Sequence, residues 1–229
     1  MTKHCYVFKG AGGYIAWYIG YAKFLQDNVD LSNASFAGTS AGSIIAVFLA
    51  SEIPIQDVWN KWFGQILSDL PENFRFPSQE FTPIAKRHAK TLLTDDAFER
   101  TKGRIHVSLT NTQFQRDSIS HFETGDDLIE CVMTSCHVPW IINGSATVEY
   151  GNRRYMDGSV CNSLGRTELY SPCGEKMEYI RIQTPYKSYE QIASLVRFCD
   201  MSFHYRNYID GYTCAQKKYV SDNPTSTEI

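Results

Sequence analysis

No surplus of positive charge runs through this chain: 22 lysines and arginines stand against 25 aspartates and glutamates, for a formal net charge of −3. A protein that grips nucleic acid through its phosphates needs a basic field, so that class of function is excluded. Long apolar runs are missing as well. None approaches the roughly 18 residues that cross a bilayer as a helix, so no transmembrane segment is expected and any membrane contact is peripheral. The seven cysteines form no Cys-x-x-Cys pair and no zinc-type spacing, and no metal or other cofactor is expected. Their number is odd, and Met1-Thr2-Lys3-His4 passes straight into a strand-like run without a secretory leader. Both features point to reduced thiols and a cytoplasmic location.

What is present suits one globular domain. A length of 229 residues allows a single unit over residues 1–220, with 221–229 as a polar tail. The aromatic share of 14% is high enough to furnish an aromatic interior and an aromatic binding surface. His4–Lys9 reads as a strand, halted by Gly10-Ala11-Gly12-Gly13 and followed by a helix over Ala16–Gln26. Ala34–Ala37 ends a second strand, and Ser43–Ala50 starts a buried helix. That order is the opening of a parallel α/β sheet with right-handed crossovers.

Further along, Val58, Trp59, Trp62, Phe63, Ile66, Leu67 and Leu70 recur at helical spacing between Pro54 and Pro71. Such a stripe either faces the core or forms an acyl-binding, lipid-facing lid carrying two tryptophans. Strands are expected at 105–110 and 118–122, a helix at 126–135, and a hairpin pairing 147–150 with 153–156 around Gly151-Asn152. One more strand is expected at 179–182, and a helical stretch at 188–219.

The chemistry gathers at Gly38-Thr39-Ser40-Ala41-Gly42. A serine on a sharp strand-to-helix turn is held in strained geometry with its hydroxyl projecting, and glycines two residues either side leave room for the crossing chain. The helix that follows aims free N–H groups and a positive dipole end at the same point. Ser40 is therefore a nucleophile candidate; the plainer alternative is a small-residue turn with Ser40 as a helix cap. A serine hydroxyl needs a base, and its anionic intermediate needs donors already in place. The Gly10–Gly13 loop follows the first strand and can offer backbone N–H groups beside the turn, or it is a phosphate cradle or a tight turn and nothing more. Asp157, in Tyr155-Met156-Asp157-Gly158-Ser159, is the candidate base, with an ordinary Asp-Gly hairpin turn as the alternative.

Together these segments resemble the patatin-like phospholipase family, including its adiponutrin-type branch. Phe8-Lys9-Gly10-Ala11-Gly12-Gly13 and the helix after it are similar to the family's glycine-rich oxyanion loop. Gly38-Thr39-Ser40-Ala41-Gly42-Ser43 is similar to its nucleophile turn. Thr134-Ser135-Cys136-His137-Val138-Pro139 resembles its Ser-x-x-x-Pro segment, and Asp157-Gly158-Ser159 stands where the family has Asp-Gly-Gly or Asp-Gly-Ala. The resemblance covers about residues 5–165. It implies a three-layer α/β/α fold with a mostly parallel central sheet and a serine lipid acyl hydrolase acting at a lipid surface. It further implies a Ser40–Asp157 dyad, with backbone donors drawn from Gly10, Ala11, Gly12, Gly13 and Ala41, and Gly38, Gly42 and Gly158 supporting the motifs. Tyr14, Ile15 and Ser159 depart from the family pattern. Two alternatives stay open: a Ser-Asp-His hydrolase using His204, the one histidine that follows Asp157, and a catalytically silent lipid-binding protein of the same fold.

Overall fold

The computed structural model describes residues 3–163 and 177–222. In chain order, β1 (His4–Phe8) leads through a 3-10 turn at Gly12–Tyr14 into α1 (Ile15–Asn28). β2 (Ser35–Thr39) is followed at once by α2 (Ala41–Ala50). The α3 segment runs through Ile55–Asp57, a π-helical turn over Val58–Phe63, and Gly64–Asp69. Next come α4 (Phe81–Leu92), α5 (Asp95–Glu99), β3 (Ile105–Asn111), β4 (Arg116–Ile119) and α6 (Gly125–Ser135). The chain continues with β5 (Val148–Tyr150), β6 (Arg153–Met156), α7 (Val160–Ser163) and β7 (Glu178–Ile182). It closes with α8 (Ser188–Ala193), a 3-10 turn at Ser194–Arg197, and α9 (Met201–Asp222).

The strands form one sheet in the order β5-β6-β3-β2-β1-β7, with β4 also paired to β3. β7, β1, β2 and β3 are mutually parallel, whereas β4 and β6 run antiparallel to β3. The expected α/β class with a mostly parallel sheet is borne out. Alternation within β1 explains its central place. Tyr6 and Phe8 enter the main core, while Cys5 and Val7 face a smaller cluster with Ala37 across the sheet. A strand buried on both faces belongs inside a parallel sheet.

Register, more than any single contact, positions the site. Thr39 pairs with Ser108 and Thr110 pairs with Met156, so the residues that follow β2 and β6 converge beside Ser108. Ser40 and Asp157 are those residues. The first loop arrives at the same edge, because Phe8 at the end of β1 pairs with Gly38. This is the carboxyl edge of the parallel strands, where open α/β sheets build their binding sites.

Three expectations need correction. The strand expected at 118–122 lies at Arg116–Ile119, because the Asn111 side chain accepts the N–H groups of Gln113 and Gln115 and fixes an earlier turn. The helical stretch expected over 188–219 is broken between Arg197 and Met201. There Asp200 accepts the Phe203 N–H at 2.9 Å and starts a new helix. The 55–70 helix is present but carries a π-helical turn, and Trp62 within it is buried, with only 2% of its surface exposed. That burial fits the core-facing alternative and removes Trp62 from any exposed lid. Among the described residues no cysteine forms a disulfide, and no helix is long and apolar enough to cross a membrane. Cys173 lies outside the described residues, as do positions 223–229 of the expected tail.

α1 and α9 cross backbone to backbone. A Cβ on Gly20 would come within 1.9 Å of the Tyr208 carbonyl oxygen, and one on Gly211 within 1.9 Å of the Trp17 carbonyl oxygen. Phe24 packs edge-on against Tyr212 and Tyr219 beside this crossing. Gly211→Ala should therefore force the helices apart and cost about 1–3 kcal/mol, read as a lower midpoint in urea unfolding. A change inside about 0.5 kcal/mol, as for an ordinary surface position, would contradict so close a crossing.

Candidate active site

Ser40 sits at φ 55° and ψ −133°, outside the regions a side-chain-bearing residue prefers. Such a conformation costs on the order of 1–3 kcal/mol and persists where neighbours over-determine it. Those neighbours are visible. A Cβ on Gly38 would meet the Gly42 carbonyl oxygen at 2.4 Å, and a Cβ on Gly42 would meet the Phe8 and Lys9 carbonyls at 2.4 Å, so both positions admit only glycine. The Ser40 N–H donates to Ser135 Oγ at 2.8 Å, and that hydroxyl donates in turn to the Ser108 carbonyl at 2.7 Å. On the other side, Ser43 donates to the Ser40 carbonyl through both its N–H, at 2.8 Å, and its hydroxyl, at 2.6 Å. The Ser40 side chain makes no helix-capping bond, which removes the simple-cap alternative.

Asp157 is buried at 3% exposure and held by its backbone. Its N–H donates to the His137 carbonyl at 2.8 Å, and the Gly158 N–H donates to the Ser135 carbonyl at 3.2 Å. The same short stretch after α6 thus fixes both Ser40 and Asp157. The β5–β6 hairpin turns at Gly151-Asn152, between the paired Tyr150 and Arg153, so Asp157-Gly158 is not a hairpin turn. On the carboxyl, Oδ1 accepts the Ser159 N–H at 2.7 Å, while Oδ2 makes no hydrogen bond of ordinary geometry. Burial pushes the Asp157 pKa up to about 6, against the Ser40 hydroxyl and then Ser159, which draw it down. The Ser40 hydroxyl thus acts on the electrostatics of the carboxyl, although no hydrogen bond of ordinary geometry joins the two groups.

The glycine loop closes the third side. Gly10 abuts Ser40 and the residue beyond Gly158: a Cβ there would lie 2.4 Å from Ser159 Oγ and 3.6 Å from Ser40 Cβ. Gly12 and Ala41 line the cleft beside Ser40, whereas Ala11 is buried and Gly13 backs onto Ser194. Gly158 packs under Ser108, supporting the aspartate from behind. Of the departures from the family pattern, Tyr14 stacks on Tyr186 with ring centroids 3.7 Å apart, and Ile15 lines the cleft.

The cleft holds about 530 Å³ of empty space, part of it open to solvent, with Ser40 among its lining residues. Its other walls are apolar and include Ile44, Trp62 and Met133, the three phenylalanines Phe76, Phe81 and Phe198, and Val138 and Ile142. The three phenylalanines touch one another edge-on, a rigid aromatic wall that sequence periodicity does not reveal. Cys136 also lines the cleft, its thiol pushed well up by burial and by the Asp157 charge, which leaves it a poor nucleophile.

No histidine joins Ser40 and Asp157 among the described residues. His204 is fully buried, and its Nε2 lies 2.7 Å from the Phe198 carbonyl oxygen. Burial pushes its pKa down to about 4, with Asp200 and Arg197 as the charges acting on it. His137 pairs its Nε2 with the Ser145 carbonyl at 3.0 Å and serves the site through its backbone.

Comparison with known proteins identifies the family and the fold. The patatin-like phospholipase family profile matches residues 6–170. The chain is 28% identical over 214 residues to omega-hydroxyceramide transacylase of Mus musculus, covering 89% of this chain and 33% of that protein. It is 29% identical over 153 residues to patatin-like phospholipase domain-containing protein 4 of Homo sapiens, covering 63% and 60%. This chain therefore spans between a third and three fifths of the length of those relatives. Among solved structures, VipD of Legionella pneumophila shares the fold with a TM-score of 0.50 at 13% identity, over 95% of this chain and 67% of that one.

The Ser135 hydroxyl is the testable element of this geometry. Ser135→Ala leaves the buried Ser40 N–H without its acceptor and should cost about 1–3 kcal/mol of stability. Because the strained turn loosens, the rate at which Ser40 reacts with a fluorophosphonate should drop at least in proportion. Unchanged stability together with unchanged labelling would show that Ser135 does not hold the turn.

Proposed function

This chain belongs to the patatin-like phospholipase family, and from that premise we propose that it is a serine lipid acyl hydrolase working through Ser40 and Asp157, within one domain over residues 1–220. The observation that carries the proposal is a strained serine beside a buried carboxyl at the floor of an apolar cleft. Ser40 Oγ attacks the carbonyl carbon of an ester while Asp157 takes its proton. Backbone N–H groups of Gly12, Gly13 and Ala41 receive the negative charge that develops on the carbonyl oxygen. The carbon–oxygen bond to the alcohol then breaks, the leaving oxygen takes the proton from Asp157, and the acyl group remains on Ser40. Water repeats the sequence with Asp157 again as base, releasing the fatty acid and restoring the serine. No metal ion is called on at any step.

A base with a pKa near 6 is better matched to neutral pH than one near the usual carboxylate value, yet is still ionised there. The apolar walls of the cleft suit an acyl chain. A lipid surface as the place of work is supported by the cleft rim. Trp140, 66% exposed, stands between the cleft-lining Val138 and Ile142, and Val196, 78% exposed, stands between Leu195 and Phe198. The absence of disulfides among the described residues is in keeping with a cytoplasmic compartment. The transacylase activity named for the mouse relative differs only in the acceptor, an alcohol in place of water at the second step.

Three measurements test the assignment. Ser40→Ala should abolish both ester hydrolysis and fluorophosphonate labelling; labelling of neither form would instead favour a silent lipid-binding protein. Asp157→Asn should lower kcat/KM by about two to four orders of magnitude, the usual worth of a general base. Since Asp157 must be ionised to accept a proton, the rate for the unaltered protein should fall as pH drops through about 6. Full activity of Asp157→Asn, or a rate that stays level down to pH about 4 where an ordinary carboxylate would titrate, would refute the role given to it.

A further inference from the structure

Beside the Ser40 cleft lies a second, shallow apolar pocket with about 310 Å³ of empty space, part of it open to solvent, whose remaining walls are Val47, Phe48, Ala89, Leu93, Ile129 and Val132, all buried. Ile44, Trp62 and Met133 line both spaces, so these three side chains form the partition between them. Ser40 borders only the first space. Its lining is wholly hydrocarbon, so the second space is chemically fit for chain methylenes once its wall is cut back.

The partition is built rigidly. Trp62 donates its indole N–H to the Ala85 carbonyl at 3.2 Å and packs edge-to-face on Phe48 with centroids 5.4 Å apart. Both contacts fix the ring against rotation. It also lies on the π-helical turn Val58–Phe63, a rare distortion that recurs at functional positions because the extra residue re-aims the side chains of its turn. Ile44 comes from α2, the helix that begins at Ser40, and Met133 from α6, which ends at Ser135. The wall is thereby tied to the same two helices that hold the nucleophile.

We infer that Ile44, Trp62 and Met133 act as an acyl-length stop: chains seated on Ser40 extend through the first space and end against Trp62, and the second cavity is closed to them until that wall is cut back. The inference rests on the acyl-hydrolase reading of Ser40. It separates two parts of substrate recognition: the polar turn fixes the ester, and the tryptophan limits the chain. Each methylene that finds apolar room is worth about a fourfold gain in rate; past the stop, further methylenes gain nothing.

The test uses a series of alkylfluorophosphonates from butyl to hexadecyl, whose alkyl chain takes the place of the acyl chain, with Ser40 modification followed by mass spectrometry. For the unaltered protein the rate should climb with chain length and then break. In Trp62→Leu the break should move to longer chains, with a gain of about sixteenfold for chains just beyond the original limit, the worth of roughly two more buried methylenes. Ala89→Leu should leave the original profile in place, because the chain does not reach it. Combined with Trp62→Leu it should pull the break back. Met133→Ala opens the same wall from the opposite helix and serves if Trp62→Leu does not fold. A break that stays put in a folded, labelled Trp62→Leu or Met133→Ala overturns the stop while leaving the acyl-hydrolase reading intact. Absence of Ser40 labelling at every chain length overturns that reading, and the stop with it.

Discussion

One serine hydroxyl, that of Ser135, ties the nucleophile turn to the sheet: it accepts the Ser40 N–H and donates to the Ser108 carbonyl. Ser40 occupies a backbone conformation that the chain would not choose alone. Two glycines give the turn room, Ser43 ties down its carbonyl, and Ser135 supplies the buried N–H with an acceptor. The backbone beside that hydroxyl then receives the aspartate loop, since the Gly158 N–H reaches the Ser135 carbonyl and the Asp157 N–H reaches that of His137. The end of α6 is the common support of both reacting groups.

Burial sets the chemistry of Asp157. A carboxyl at 3% exposure loses water that would stabilise its charge, and its pKa rises from 3.8 to about 6. The folded state holds the proton more tightly than the unfolded chain, so this group favours folding fully below pH 3.8. That contribution is lost as pH rises through about 6. At neutral pH the ionised carboxyl costs the fold on the order of 3 kcal/mol. On the proposed reading the site gives up stability for a base matched to neutral pH, and the aromatic interface of α1 and α9 is among the elements that offset it.

The α/β class and the candidate nucleophile turn were legible from local pattern. Gly38-Thr39-Ser40-Ala41-Gly42 lies between a strand and an apolar helix, and spacing alone carries that chemistry. Asp157 was legible by residue type but not by partner, because its proximity to Ser40 follows from strand register across β2, β3 and β6. Ser135 falls within a family-like segment, yet nothing in a serine near a helix end says that its hydroxyl will bridge two strands' worth of backbone. The break at Asp200 had a usable signal, an aspartate three residues before a helical N–H it can cap. The π turn at Val58–Phe63 and the aromatic wall of Phe76, Phe81 and Phe198 had none, since both arise from packing between segments distant in the chain.

The central claim is that the Ser40 hydroxyl and the Asp157 carboxyl meet in a buried, water-poor setting. Carboxyl-carbon NMR titration of Asp157, in the unaltered protein and in Ser40→Ala, measures that meeting directly. The unaltered protein should titrate near pH 6, and Ser40→Ala should titrate higher, because the hydroxyl that lowers the value is gone. A midpoint near 3.8, or one that does not move when the hydroxyl is removed, would mean that the two groups do not share a site.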